Sequence, residues 1–284
     1  MRVLLLGAGG MLGHDLAATA PLDVALVPTT RTALDITDAA ALARRVAEVQ
    51  PDVIVNAAAY TTVDKAESEP DLAFRVNGQA VGELGKIAAR SGIKVVHFST
   101  DYVFDGTATV PYAEDAEPNP INVYGASKLA GETALQASGA EALIVRTQWL
   151  FGGSGGSFPR TMWERATRRT ATRVVNDQLG RPTYTLDVAR ATWQLVQGGA
   201  EGLVHVANGG AATWFEVARE VFRLAGCPEL VERCTTSEYP TPARRPRYSV
   251  LETRRFELRM GASLPQWCDA LARFATQLQS QPRP

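Results

Sequence analysis

The chain has few cysteines, few histidines and no surplus of either charge. Cys227, Cys234 and Cys268 are odd in number and form no CxxC, so a disulfide framework is not expected and a reducing cytoplasm is the default. His14, His97 and His205 show no ligand spacing and read as structural. Lys and Arg number 29 against 30 Asp and Glu, a net charge of -1, which argues against a dedicated nucleic-acid binder or a polybasic membrane protein. No apolar run reaches the ~20 residues of a membrane span. The run at 3–6 is too short for a signal-peptide core and ends in glycines. What remains is a chain of 284 residues, 45% hydrophobic, long enough for two domains or one large α/β unit and too apolar to be disordered.

Strand-like and helix-like segments alternate through the first half. Short apolar runs at 3–6, 24–27, 53–55, 95–98 and 143–145 are separated by helical spacing at 11–18, 39–49, 72–89 and 124–137. Strands apolar throughout are buried on both faces, and the alternation predicts a Rossmann-type doubly wound parallel sheet. After Arg146 the rhythm changes. A glycine-rich loop at 152–156 leads into a basic helix at 159–169, a strand at 173–175, a helix at 186–197 and a strand at 203–206. Thr213 and Glu216 suit a capping box for a helix at 214–225. Three prolines mark 239–246 as loop, a last helix spans about 265–278, and the Gln/Pro tail reads as frayed.

The first strand empties into Gly7-Ala8-Gly9-Gly10-Met11-Leu12-Gly13, a GxxGxxG between strand and helix. Such a turn brings backbone N–H groups and a helix N-terminus up to a pyrophosphate. The second strand ends Thr29-Thr30-Arg31 without a carboxylate, which suits a 2′-phosphate. Asp35 follows, placed to touch the ribose or the adenine. Tyr124 and Lys128 form a YxxxK, one face of a helix at i and i+4. A nearby ammonium favours phenolate and is expected to lower the Tyr124 pKa. Ser99-Thr100-Asp101-Tyr102 lies just past a strand end, where a parallel sheet carries its site, so a hydroxyl from that end can share a carbonyl oxygen with Tyr124.

In these motifs the sequence resembles the extended short-chain dehydrogenase/reductases, and more closely the dTDP-4-dehydrorhamnose reductase family. The closer likeness rests on the segments 52–61, 63–67, 98–104 and 122–125, with Arg146-Thr147-Gln148-Trp149, Asn176-Asp177-Gln178 and 239–246. The resemblance implies NADPH as cofactor, with use of NADH left open, held by Gly7, Gly10, Met11, Leu12, Gly13, Arg31, Asp35, Ile36, Ala58, Ala59, Tyr60, Thr61, Tyr124 and Lys128. It implies catalysis by Thr100, Tyr124 and Lys128, and substrate contacts from Thr61, Thr100, Asp101, Trp149 and Arg245. By analogy with sugar-nucleotide enzymes of this fold, Arg245 would take the substrate diphosphate.

The resemblance further implies a cytoplasmic enzyme, monomer or homodimer, reducing a dTDP-4-keto sugar on the way to a surface polysaccharide, without nucleic-acid or membrane partners. The expected division is a dinucleotide-binding domain at 1–151 with 183–208 returning to it, and a smaller, interleaved α/β substrate-binding domain at 152–182 and 209–284. Some family members hold Mg²⁺ at a dimer contact. Here Asp15 fits one ligand place, but Leu186 and Cys268 stand at others, with Asp187 one position off, so no metal is expected. Two rival readings remain: a reductase of a related dTDP-4-keto sugar, and a silent NADP-binding protein like the regulatory subunits of methionine adenosyltransferase. A 4,6-dehydratase would need Asp-Glu after the catalytic Thr, where this chain has Asp101-Tyr102.

Overall fold

The computed structural model describes residues 1–280; the Gln/Pro tail expected to fray lies outside the described residues. The chain opens with β1 (Arg2–Leu6), α1 (Met11–Ala18), β2 (Ala25–Thr29), α2 (Ala39–Val49), β3 (Val53–Asn56), α3 (Val63–Ala66) and α4 (Pro70–Phe74). One π turn, Arg75–Gln79, joins α4 to α5 (Ala80–Ser91), followed by β4 (Lys94–Thr100), α6 (Val123–Gln136) and β5 (Ala142–Thr147). Then come β6 (Leu150–Phe151), α7 (Phe158–Thr167), β7 (Thr172–Val175), β8 (Leu179–Gly180), β9 (Thr183–Tyr184), α8 (Thr185–Gln197) and β10 (Gly202–His205). The chain closes with β11 (Ala212–Thr213), α9 (Trp214–Leu224), β12 (Val231–Cys234), α10 (Arg254–Met260) and α11 (Trp267–Ser280).

Six strands form one parallel sheet in the order β10-β5-β4-β3-β1-β2. Val3, Leu4 and Leu5 are wholly buried because both faces are covered. One face packs Val3, Leu5, Val55 and Val145 against α1 and α8; the other packs Leu4, Leu6, Ile54 and Ile144 against α2 and α5. A separate core under α7, α9 and α11 gathers Phe151, Tyr184, Phe215, Phe222 and Phe274. There the parallel pair β7–β12 forms a small second sheet. The capping box at Thr213 and Glu216 starts α9.

The structure departs from the sequence reading in three places. The second strand begins at Ala25 and runs to Thr29, because the Val24 N–H closes a turn onto the Pro21 carbonyl. The helix expected at 72–89 is α4, the π turn and α5 in succession. The turn carries Asn77, 1% exposed, whose side chain accepts from the Tyr60 N–H (2.8 Å) and donates to the Tyr60 carbonyl (2.9 Å) and the Ser127 hydroxyl (3.0 Å). Strand β12 and helix α10 lay in stretches without a clear period.

Candidate active site

The glycine turn is set by close packing. Gly7 has φ +77°, and a Cβ there would lie 2.5 Å from the Ala58 nitrogen; one on Gly13 would lie 2.1 Å from the Gly7 carbonyl oxygen. Both positions therefore require glycine. Gly10 is the N-cap of α1 and offers no side-chain cap, so the N–H groups of the first helical turn stay available to an anion. A groove of about 620 Å³ opens over this turn, lined by Gly7, Gly9, Gly10, Arg31, Asp35, Ile36 and Ala58 to Thr61. These residues fit a dinucleotide. Of the others expected there, Leu12 is 8% exposed in the core, Met11 lies under Gly152, and Gly13 packs on Gly7, which leaves them their backbone N–H groups.

The strand-end hydroxyls divide. Thr30 lines the groove, hydrogen-bonded to Thr32 at 2.9 Å, whereas Thr29 is buried without a partner for its hydroxyl. Thr29 is thus removed from the expected phosphate contact. Arg31 is 83% exposed and 3.8 Å from Asp35. Asp35 sits below the usual carboxylate range, chiefly through hydrogen bonds from the backbone and hydroxyl of Thr37. Sequence reasoning missed Lys65 and Glu69 on the same groove. Lys65 pairs with Glu69 at 2.8 Å, and the Tyr60 hydroxyl donates to Glu69 at 2.9 Å. The quoted 63–67 segment already held Lys65.

Thr100 ends β4, and Asn122 caps α6 by accepting from the Gly125 N–H at 2.7 Å, which brings Tyr124 and Lys128 onto the strand end. Lys128, 3% exposed, donates to the Phe98 carbonyl at 2.6 Å. Burial brings its pKa down to about 8. The Tyr124 phenol is pushed up to about 12, first by burial, with the Thr100 hydroxyl pulling the other way. This corrects the expected lowering: the Lys128 ammonium is spent on a carbonyl, and burial outweighs the rest. Tyr124 is therefore a phenol at neutral pH, a proton donor. Thr100 donates to Asp101 at 3.1 Å. Asp101 is 2% exposed, and burial lifts its carboxyl to about 7.

A second cleft, about 690 Å³, is walled by Asp64, Phe158, Arg165, Arg173, Trp214 and Arg245, among others. It approaches the first groove at Thr62 and Asp64. Arg245 does not present a free fork, as expected from sequence. Its two terminal nitrogens bond both Asp64 oxygens at 2.9 and 2.8 Å, tying loop 239–246 to α3. Trp149, at φ +47°, stacks at 3.6 Å on Trp214 and over Gly180, so the aromatic on the cleft wall is Trp214. Arg165 and Arg173 were not singled out; the basic run at 159–169 was the visible signal for Arg165, while Arg173 pairs with Glu238 at 2.6 Å. The metal places are internally occupied. Asp15 accepts from Thr185, and Asp187 accepts from Asn208 and both terminal nitrogens of Arg273. Among the described residues no cluster of three or more His, Cys, Asp and Glu is arranged for a metal.

The chain matches the family model described as RmlD substrate binding domain over residues 1–280. It is 43% identical to a dTDP-4-dehydrorhamnose reductase of Mycolicibacterium smegmatis, covering 95% of this chain and 84% of that protein. It is 40% identical to one of Escherichia coli strain K12, covering 98% of each. The crystal structure of a Bacillus anthracis dTDP-4-dehydrorhamnose reductase in complex with NADP superposes with a TM-score of 0.94 at 36% identity, covering 97% of this chain and 99% of that one. Glycine turn, strand-end Thr100 and the Tyr124–Lys128 face all sit within that full-length match, and the chain belongs to the dTDP-4-dehydrorhamnose reductase family.

Proposed function

We propose that the protein reduces the C4 ketone of dTDP-4-dehydro-6-deoxy-L-mannose with NADPH, giving dTDP-L-rhamnose. The observation that carries this reading is the protonated Tyr124 phenol against the Thr100 hydroxyl at the end of a central strand, with Lys128 one helical turn on. When bound, NADPH supplies a hydride to the C4 carbon. Tyr124 gives the ketone oxygen its proton, and Thr100 hydrogen-bonds that oxygen as charge develops. Lys128 holds the nicotinamide ribose and favours the phenolate left behind. The N–H groups of Met11 to Gly13 hold the pyrophosphate, with Gly7 and Gly10 giving the close approach, Asp35 and Ile36 hold the adenosine, Ala58 to Thr61 the nicotinamide half, and Arg31 the 2′-phosphate. NADH is a poorer donor.

The second cleft takes the sugar nucleotide, with Arg165 placed for its diphosphate, Thr61 and Asp101 beside the sugar, and Trp149 acting through Trp214. Residues 1–151 with 183–208 form the dinucleotide-binding part, and 152–182 with 209–284 the substrate-binding part. The enzyme works in the cytoplasm, as monomer or homodimer, and feeds a surface polysaccharide; among the described residues no helix is long and apolar enough to cross a membrane. Turnover of enzymatically prepared dTDP-4-keto sugars, followed by NADPH absorbance with the product assigned by NMR, tests the reading. Absence of turnover with bound NADPH would favour a silent binding protein, and a faster neighbouring epimer would favour a related reductase.

A further inference from the structure

Helix α6 carries a third ionisable side chain on its catalytic face. Tyr124, Lys128 and Glu132 stand at i, i+4 and i+8, one above the other. Glu132 is 2% exposed and Arg146, on the adjacent β5, is 4% exposed. Their contact is a two-pronged fork, Nε to Oε1 at 2.9 Å and Nη2 to Oε2 at 2.7 Å. The remaining Arg146 nitrogen, Nη1, has no partner, and the guanidinium lies 5.2 Å over the Phe104 ring. The far end of this pair meets His205 on β10, which stays neutral. Replacing such a buried pair by apolar side chains is often neutral or stabilising, so stability alone does not explain its presence.

The near end points to Lys128. That ammonium is bonded to groups that cannot balance its charge: the Phe98 carbonyl at 2.6 Å and the His97 ring at 3.4 Å. His97 is held neutral by burial and by Lys128 itself. Asp101 lies near Tyr124 and faces Thr100. Glu132 is the buried carboxylate one helical turn from Lys128 on the same face of α6. We propose that Glu132, fixed as a carboxylate by the Arg146 fork, is a positioning residue that keeps Lys128 charged. The pair works as an oriented dipole, negative toward the catalytic ammonium and positive toward the His205 side, where the buried Glu114 carboxylate accepts from the His205 N–H at 3.2 Å and lies 3.8 Å from Arg255. An isolated carboxylate in this place would face the same burial cost as Lys128; Arg146 removes that cost without approaching the ammonium.

The inference rests on the proposed reductase activity, and NADPH binding separates the two. Wild type and the double variant E132M/R146M are compared in melting temperature, in NADPH affinity by fluorescence between about pH 6 and pH 9, and in the pH profile of kcat/KM. Removing both charges leaves no unpaired partner, so the double variant is expected to melt near wild type. Its NADPH affinity and kcat/KM are expected to lose their alkaline limb about one pH unit earlier, with roughly fivefold weaker NADPH binding near pH 8, rising toward about tenfold by pH 9, as one pKa unit implies. If the double variant does not fold, E132Q assayed below its own melting temperature carries the same comparison, with a larger shift in the same direction. A variant that melts lower but keeps the wild-type pH profile would overturn the proposal and leave the pair purely structural. Wild-type protein that binds no NADPH would instead overturn the reductase reading.

Discussion

Removing the Tyr124 hydroxyl leaves Thr100 and Lys128 in place, so Tyr124→Phe isolates the proton. Its kcat is expected to fall about 10²–10⁴-fold, the usual worth of a positioned acid, with NADPH affinity nearly unchanged in a fluorescence titration. Near-wild-type turnover would remove Tyr124 from the mechanism. Arg31→Ala is expected to weaken NADPH about tenfold and NADH hardly at all. The figure is at the low end for a charge-assisted contact because Arg31 is 83% exposed and already shares Asp35. Equal losses for both cofactors would show that Arg31 does not read the phosphate. Asp101 ties stability to pH. Its folded value of about 7 lies above the ordinary 3.8, so its stabilising contribution is full below pH 3.8 and is lost as pH rises through about 7. The melting temperature is expected to fall between about pH 4 and pH 7 and to level off above that, and Asp101→Asn should flatten that fall. A slope unchanged in the variant would assign the titration elsewhere.

At the scale of elements, the π turn matters most to the site. Asn77 staples the Ala58–Thr61 segment to α6 with three hydrogen bonds. Asn77→Ala is expected to cost roughly 2–4 kcal/mol in urea unfolding and to weaken NADPH binding, since the Tyr60 backbone loses both partners. Unaltered cofactor affinity would show that the segment holds itself. Sequence period alone could not reveal this turn, because a π turn keeps the apolar face running and adds its residue silently. β1, β3, β4 and β5 were legible because they are buried on both faces and largely apolar, whereas the edge strand β2, with Ala25 and Pro28 exposed, was placed only in part. Thr100, Tyr124 and Lys128 were legible because strand end and helix spacing are local. The Asp64–Arg245 pair and the Trp149–Trp214 stack were not, since each joins residues far apart in the chain and neither has a local pattern. The Tyr124 pKa was misjudged for a related reason: spacing puts an ammonium nearby, but burial and the Phe98 carbonyl decide the sign.

For the whole molecule, the carboxylates near α1 and α8 are committed internally, Asp15 to Thr185 and Asp187 to Arg273 and Asn208. A hard cation needs six or so oxygens, so turnover and gel-filtration volume are expected to be unchanged by EDTA. Loss of activity, or a shift from dimer to monomer, would make Asp15 the first residue to mutate. The placing of β10 has a consequence for biosynthesis. This strand, residues 202–205, pairs with β5 and closes one side of the sheet, while α8 covers α1 through the Trp193 indole on the Leu16 carbonyl. A nascent chain leaving the ribosome has five strands by residue 147 but keeps β5 as a bare, apolar edge for more than fifty further residues of translation. During that interval the half-made sheet exposes Leu143, Ile144 and Val145 beside unpaired backbone, a surface that another unfinished copy on the same polysome would extend. The enzyme's yield in a cell is therefore set in part by how quickly codons 148 to 205 are read and by whether a chaperone covers that edge meanwhile.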